Sequence, residues 1–400
     1  MDSRDARYSD KEHSYEWTHP FINWRFDFLD RMDRQTWLRL GEIQSKCEHL
    51  ALAPLRPDIR KTMYRVHFLK GVKASAAIEG NTLSDDDVDA REAGKLASAT
   101  APEYQVREID NLLDLTRSVA IDALGGIKPV TPEWLVRINR TVLQDVEELP
   151  LARTAAGYAE TGMQVNAYHG PAPSNFAPLV EHLCIWLNGE GWKGWQDMSL
   201  AQGIVKAVVA HVYLLWIHPF PDGNGRTARL LEFRLLMEAG IPNIAAHLLT
   251  NHYNRTRETY FDRVARTHAD HLGHLEDFVA YAVEGLSTAL REQVDVVRAA
   301  VIDDVRRNII FEAFREYKES AVGLRRRELA LSLPLDRGME RKRLRYMTPR
   351  LSELYAGLGL RAVSRDVNAL VEMGFALEDD DGVRANLKTV VERLPGRAKF

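Results

Sequence analysis

The chain has 400 residues, 45% of them hydrophobic and 28% charged, with a formal net charge of -4. That is ordinary globular composition, long enough for two or three domains, and it gives no global pull toward nucleic acid or anionic lipid. The only two cysteines, Cys47 and Cys184, lie far apart, which excludes a disulfide scaffold and points to a reducing, cytoplasmic setting.

The N-terminus, MDSRDARYSDKEHSYEW, is polar and lacks the apolar core of a signal peptide,. Helical periodicity then predicts helices over 25–50, 57–78, 84–98, 103–122 and 131–145. Gly125-Gly126, closely followed by Pro129 and Pro132, marks a boundary. Thr131-Pro132-Glu133 reads as an N-cap, a first-turn proline and an early acid,. Residues 151–173 mix Gly, Thr, Val, Tyr and Pro with loose alternation and predict a short β-hairpin. Helices resume over 176–188, 198–216, 226–239, 254–268 and 273–296. The apolar run 201–217 contains Lys206 and His211, and so reads as a buried helix; no membrane partner is expected. Gly240 and Pro242 stop the 226–239 helix.

The last hundred residues predict helices over 301–319, 324–331 and 348–357. A further helix follows, capped by Ser364 with Val367, Leu370 and Val371 on one face and ended by Gly374. Phe375–Leu377 and Val383–Ala385 flank an acidic turn closing in Asp381-Gly382, a hairpin signal,. The expected fold is mainly all-α: an N-terminal helical region (1–125), a helical core with a small β-hairpin (126–296) and a winged-helix-like domain (297–400).

The chemistry concentrates in HPFPDGNGRTAR, residues 218–229. The glycines let backbone N–H groups turn inward, and the helix that starts near Arg226 adds free N–H groups and partial positive charge. Together they form an anion nest. Arg226 and Arg229, three apart, suit bidentate grip on phosphate. Asp222 beside phosphate calls for a bridging cation, for which Mg²⁺ is the usual choice. His218 can take a proton near neutral pH. The stretch therefore reads as an Mg²⁺–nucleotide site with a general base, and it is neither a Walker loop nor a dinucleotide fingerprint. The blander reading is a plain turn with surface arginines and a capping Asp.

His218-x-Phe220-x-Asp222-Gly223-Asn224-Gly225-Arg226-x-x-Arg229 resembles the Fic (Fic/DOC) family motif at every fixed position, and the helical order over roughly 60–290 fits as well. The resemblance implies a protein adenylyltransferase that moves AMP from ATP to Ser, Thr or Tyr hydroxyls of a target protein, with self-modification in reach. By resemblance, His218 deprotonates the hydroxyl and Asp222 holds Mg²⁺. Asn224 and the backbone of Gly223 to Gly225 cradle the phosphates, Arg226 and Arg229 bind the outer ones, and Phe220 anchors the loop. Gly225 stands where the phosphorylating branch carries Lys. Upstream, SAAIEGN (75–81) is locally a helix end. It also fits the family's inhibitory pattern through Ser75, Glu79 and Gly80, which implies that Glu79 pairs with Arg229 and keeps ATP out of the productive pose. Alternatives are AMP removal, in which Glu79 positions a water, and a DNA-binding regulator with a nucleotide-sensing core.

Lesser signals remain. By resemblance the 153–172 hairpin is a flap over the site, against the reading of a plain connection. Tyr253, Asn254 and Tyr260 fall where relatives place the adenine pocket, although helix-face tyrosines are often packing. His268, His271 and His274 have a spacing that could bind metal, but a helix junction is the simpler reading. Basic runs at 325–328 and 340–346 suit DNA phosphates, while the acidic turn EDDDG opposes them,. A homodimer is left open.

Overall fold

The computed structural model describes residues 15–96, 101–126, 128–146, 152–165, 168–192, 199–269, 273–317 and 320–392. The stretch expected as one helix over 25–50 breaks at Met32, because the Asp33 carboxylate accepts from the Thr36 N–H at 2.6 Å and starts a new helix,. That helix, α1 (Arg34–Leu52), buries Leu40, Ile43, Cys47 and Leu50 at three- and four-residue spacing,. α2 (Pro57–Ile78) begins on a proline, where the missing N–H is harmless. The chain turns at Gly80, which sits at φ 101. α3 (Asp85–Glu92) is opened by a reciprocal capping box between Ser84 and Asp87,, and stops well short of the expected residue 98. α4 (Glu103–Leu124) and α5 (Pro132–Val142) follow, the latter capped by Thr131 as its sequence requires.

The hairpin is small: β1 (Gln164–Val165) pairs antiparallel with β2 (Tyr168–His169). α6 (Phe176–Asn188) leads to α7 (Ser199–Ile217) and α8 (Asn224–Glu238), which form the most extensive helix pair among the described residues. α7 is long and apolar enough to cross a membrane by length and composition alone, yet 78% of its apolar window is buried in the protein. It is a core helix. α8 also packs on α4 and α5, which brings residues far apart in sequence onto its first turns. The span expected as 254–268 divides into α9 (Leu248–Arg255) and α10 (Arg257–Arg266) around Thr256, at φ -117 and ψ 38.

The helices expected over 273–296 and 301–319 are one helix, α11 (Leu275–Ala313). No Gly or Pro lies between Leu286 and Ala313 to end it,. The chain divides into two compact units, Met1–Leu52 with Pro57–Val294, and Ala53–Arg56 with Asp295–Phe400. The helices before Gly125 thus share a unit with the 218–229 stretch. The second unit adds α12 (Ala321–Ser332), α13 (Pro349–Leu354) and α14 (Leu360–Glu372), then β3 (Ala376–Asp379) paired antiparallel with β4 (Gly382–Ala385). Its core gathers Leu329, Leu344, Leu351, Val363, Val367, Leu370 and Val383. The turn residues are Asp380-Asp381, one position earlier than expected, and Gly382 at φ 116 begins the return strand.

Candidate active site

α7 ends at Ile217 and His218 follows at φ 47, a left-handed conformation that costs a non-glycine residue energy and turns its side chain out of the helix path. The ring Nδ1 lies 3.3 Å from the Leu215 carbonyl oxygen. That oxygen can only accept, so Nδ1 carries the proton and Nε2 keeps its lone pair. Burial holds the imidazole below its ordinary value, against the raising effects of the Leu215 carbonyl, Glu79 and Asp222,. The ring is therefore neutral at pH 7. It opens onto a cavity of about 1380 Å³ that is also lined by Glu79, Gly225, Tyr168 and Tyr260.

The loop after His218 is locked from inside. Phe220 is fully buried, near the Tyr158 ring at 6.0 Å. Its N–H donates to Asn224 Oδ1 at 3.0 Å, and Asn224 Nδ2 donates back to the Phe220 carbonyl at 2.7 Å. The Asn224 amide thus holds the loop by one bond at each end and keeps its second Nδ2 N–H,. Asn139 Nδ2 donates to the Asp222 carbonyl at 2.8 Å, and Arg153 in turn donates to Asn139 Oδ1 at 2.8 Å. Gly223 sits at φ 73, where a Cβ would meet Asn139 Nδ2 at 2.9 Å, so conformation and space both require glycine.

α8 begins at Asn224 with no side-chain cap bond from Gly223, and the N–H groups of a first helical turn have no partner within their own helix. A carboxylate already sits there: a Cβ on Gly225 would meet Glu79 Oε1 at 2.3 Å and Arg229 Nη1 at 3.0 Å. Glu79 Oε1 accepts from Arg229 Nη2 at 2.7 Å. Arg229 also donates through Nε to Ser75 Oγ at 3.0 Å and through Nη2 to the Ser75 carbonyl at 2.8 Å. The guanidinium is buried, with 2% of its side chain exposed, while Glu79 keeps 32% exposed. Ser75, Glu79 and Gly80 thus lie together at the C-terminal end of α2, against the nest. Arg229 Nη1 has no hydrogen-bond partner among the described residues.

Arg226 is held differently. Its Nη1 meets Glu108 Oε1 at 2.6 Å and its Nη2 meets Asp222 Oδ2 at 2.9 Å. The buried Glu108 belongs to α4 and was invisible to motif reading. Its signal was a polar residue on the apolar stripe of α4, which also buries Ile109, Leu112, Leu115 and Val119. Asn139, buried between Leu135 and Val142 on α5, has the same signature. Asp222 has 46% of its side chain exposed, and its Oδ1 accepts from the Gly223 N–H at 2.5 Å. No group of three or more His, Cys, Asp or Glu that could hold a metal occurs among the described residues. One half-exposed carboxylate beside an anion nest fits an Mg²⁺ that takes its other ligands from phosphate and water, and does not fit a protein-only cage.

The two tyrosines separate. Tyr253 is fully buried and its hydroxyl donates to Glu232 at 2.8 Å, so it packs in the core and does not face the cavity. Tyr260 lines the cavity, next to Phe261, Val264 and Ala265 of α10. β1 and β2 also border the cavity. The Tyr168 hydroxyl donates to the Trp216 carbonyl, and His19 Nε2 lies 2.8 Å from the His169 carbonyl. His268 packs on Tyr168 at 4.4 Å and His274 meets Glu276 at 3.1 Å; His271 lies outside the described residues. In the second unit, Arg325 and Arg326 both pair with the buried Asp366, and Arg341 pairs with Glu378. Much of the basic charge at 325–328 and 340–346 is thereby met within the unit.

Residues 129–236 match the model of the Fic/DOC family. The Protein adenylyltransferase Fic of Nematostella vectensis is 28% identical over 213 residues, covering 53% of this chain and 48% of that protein. Protein adenylyltransferase fic-1 of Caenorhabditis elegans is 24% identical over 277 residues, covering 68% and 49%. The chain thus spans about half the length of these curated relatives. A solved Fic family protein from Desulfovibrio desulfuricans G20 has the same fold, with a TM-score of 0.53 at 18% identity over 92% of this chain and 96% of that one.

Proposed function

We propose that this chain, which carries a Fic/DOC domain over residues 129–236, is a protein adenylyltransferase that moves AMP from ATP to a hydroxyl side chain of a protein and is held back in cis by Glu79. The observation that carries the reading is the carboxylate of Glu79 over Gly225, paired with Arg229. A negative group already occupies an anion nest at the start of a helix, in the same cavity as a neutral histidine.

In the released state the nest takes the triphosphate of ATP, with Arg229 on the γ-phosphate. Its Nη1 is the idle donor that faces Gly225. Asp222 would hold Mg²⁺, which supplies charge neutralisation on the phosphates when bound. Arg226 is tied to Glu108 and Asp222, so its share is to orient the carboxylate and add positive charge. His218 Nε2 takes the proton as the hydroxyl oxygen of the target bonds to the α-phosphorus. The bond between the α-phosphorus and its bridging oxygen breaks, and pyrophosphate leaves. In-line transfer of this kind depends mainly on positioning and charge stabilisation. The β1–β2 hairpin, anchored through Tyr168 to the carbonyl of Trp216, offers an edge that can align an extended target segment.

While Glu79 occupies the nest, its carboxylate competes with the γ-phosphate for Arg229. Its partial exposure lets it leave without unfolding the core around Arg229. Incubation with α-phosphate-labelled ATP tests the reading. The Glu79→Gly protein should label itself or proteins of a lysate well above the intact protein. Equal labelling would remove the brake, and absence of labelling from both would remove the activity.

A further inference from the structure

Glu108 joins the chain just after the brake to the Asp222 carboxylate beside the nest. It is buried on α4. Its Oε1 accepts from Arg226 Nη1 at 2.6 Å, and its Oε2 accepts from Asn81 Nδ2 at 2.7 Å. Arg226 continues through Nη2 to Asp222 Oδ2 at 2.9 Å. Asn81 is the second residue after Glu79. Its Nδ2 also donates to the Gln105 carbonyl at 3.0 Å, and its Oδ1 accepts from the Leu83 N–H at 3.0 Å. Thr82 adds two bonds to Gln105 Oε1, from its N–H at 3.1 Å and from its hydroxyl at 3.0 Å. Every link from Asn81 to Asp222 is thus a short hydrogen bond.

Arg226 lies between two carboxylates, of which Asp222 reaches solvent and Glu108 does not. A cation at Asp222 competes with the guanidinium for the same carboxylate. The buried negative charge of Glu108 offsets that guanidinium from its other side and leaves Asp222 available to the cation. Asn81 fixes the second oxygen of Glu108, which keeps the first on Arg226. We infer that Glu108 is a positioning residue for the metal: with Asn81 it sets Arg226, and through Arg226 the Asp222 carboxylate, to receive the Mg²⁺ that accompanies ATP. The end of α2 is held on both sides of Glu79, by Ser75 at Arg229 and by Asn81 at α4. The Glu79 side chain can therefore leave the nest while the setting of Asp222 stays.

The inference rests on the reading that Asp222 holds Mg²⁺ beside the triphosphate, and the test separates the two. In the Glu79→Gly full chain, ATP affinity is measured by calorimetry with Mg²⁺ and with EDTA in its place, for the parent, for Glu108→Gln and for Asn81→Ala. The ratio of the two affinities is the metal gain. Glu108→Gln keeps the size of the side chain and removes its charge. It should cut the metal gain about tenfold, the order expected when one charge is removed from beside another. ATP affinity in EDTA should stay equal or become tighter, because the site is then more positive; a merely structural loss would weaken it. Asn81 is only half-buried, so Asn81→Ala guards against loss of the fold while keeping every charge. It should cut the gain about threefold, a fraction of what a hydrogen bond to a charged group contributes. An equal loss in both media, or an unchanged gain in either variant, would overturn the inference and leave the nest in place. A parent without a metal gain would overturn both.

Discussion

Each unit of the molecule buries arginine against carboxylate, with opposite arrangement. In the second unit the carboxylate is central. Asp366 is 1% exposed and accepts from Arg325, Arg326 and the Tyr355 hydroxyl. In the first unit the arginine is central: Arg229 is buried and its carboxylate partner Glu79 is the group that reaches solvent. A carboxylate enclosed by three donors is a structural tie. A carboxylate at the rim of a cavity, on a guanidinium with a donor to spare, is a replaceable ligand. The exposed end of the pair decides whether it serves stability or binding.

The largest expected effect lies in the chemistry that only the first unit has. In the Glu79→Gly background, His218→Ala should lower the rate of AMP transfer roughly 10²–10⁴-fold, the usual contribution of a general base. ATP affinity by calorimetry should stay within about threefold. A parallel loss of binding would assign His218 to the nest rather than to proton transfer.

Next comes the structural tie. Asp366→Ala leaves Arg325, Arg326 and the Tyr355 hydroxyl without their shared acceptor, and should destabilise the second unit by about 3 kcal/mol. Urea unfolding followed by circular dichroism checks this. All eight tryptophans lie at or before Trp216, so the tryptophan fluorescence transition, which reports the first unit, should not move. By contrast Glu79→Gly removes the partner that reaches solvent, and Arg229 keeps its bonds to Ser75, so the fluorescence transition should move less than Asp366→Ala moves the unfolding of the second unit. If the two substitutions cost the same, the distinction between tie and ligand fails.

Acid sharpens the comparison further. Burial holds His247 down to about 3 and His252 down to about 4, from an ordinary 6.5. Both stay neutral when folded and take a proton when unfolded as pH drops below 6.5. Their contribution is complete above pH 6.5 and declines as pH falls toward about 4 for His252 and about 3 for His247. Each fully populated difference lowers stability by about 1.4 kcal/mol per pH unit. The second unit contains no histidine. The fluorescence midpoint in urea should therefore fall between pH 6.5 and 4.5 through histidines of the first unit, and a midpoint flat over that range would contradict this assignment.

The smallest effect concerns the flap. His19→Ala removes the contact to the His169 carbonyl and should raise the KM for a protein target a few-fold while leaving kcat nearly unchanged, as expected for lost positioning of one segment. A fall in kcat alone would place His19 closer to the chemistry.

Much of this was legible in the sequence because it is local. Capping at Thr131, the glycine stop after α2 and the helix start within 218–229 depend on neighbouring residues. The hidden features are those in which polar groups from distant segments meet inside the core. Glu108 reaches Arg226 across 118 positions, and Asn139 reaches the Asp222 carbonyl across 83. Each leaves a polar residue on an apolar helix stripe, which marks the position but not its partner. Within the motif, the two bonds by which Asn224 holds the loop to Phe220 are contacts that its identity alone did not specify. Tyr253 and Tyr260, seven apart, read alike in sequence. Only the packing of α9 and α10 turns one into the core and the other to the cavity.

The central claim is that the Glu79 carboxylate stands where a phosphate belongs. A crystal structure of the Glu79→Gly protein with Mg²⁺ and an ATP analogue that resists cleavage between the α- and β-phosphates tests it most directly. The account predicts the γ-phosphate within hydrogen-bond distance of Arg229 Nη1 and His218 Nε2 directed at the approach to the α-phosphorus. A nucleotide seated elsewhere, or an Arg229 that touches no phosphate, would contradict it.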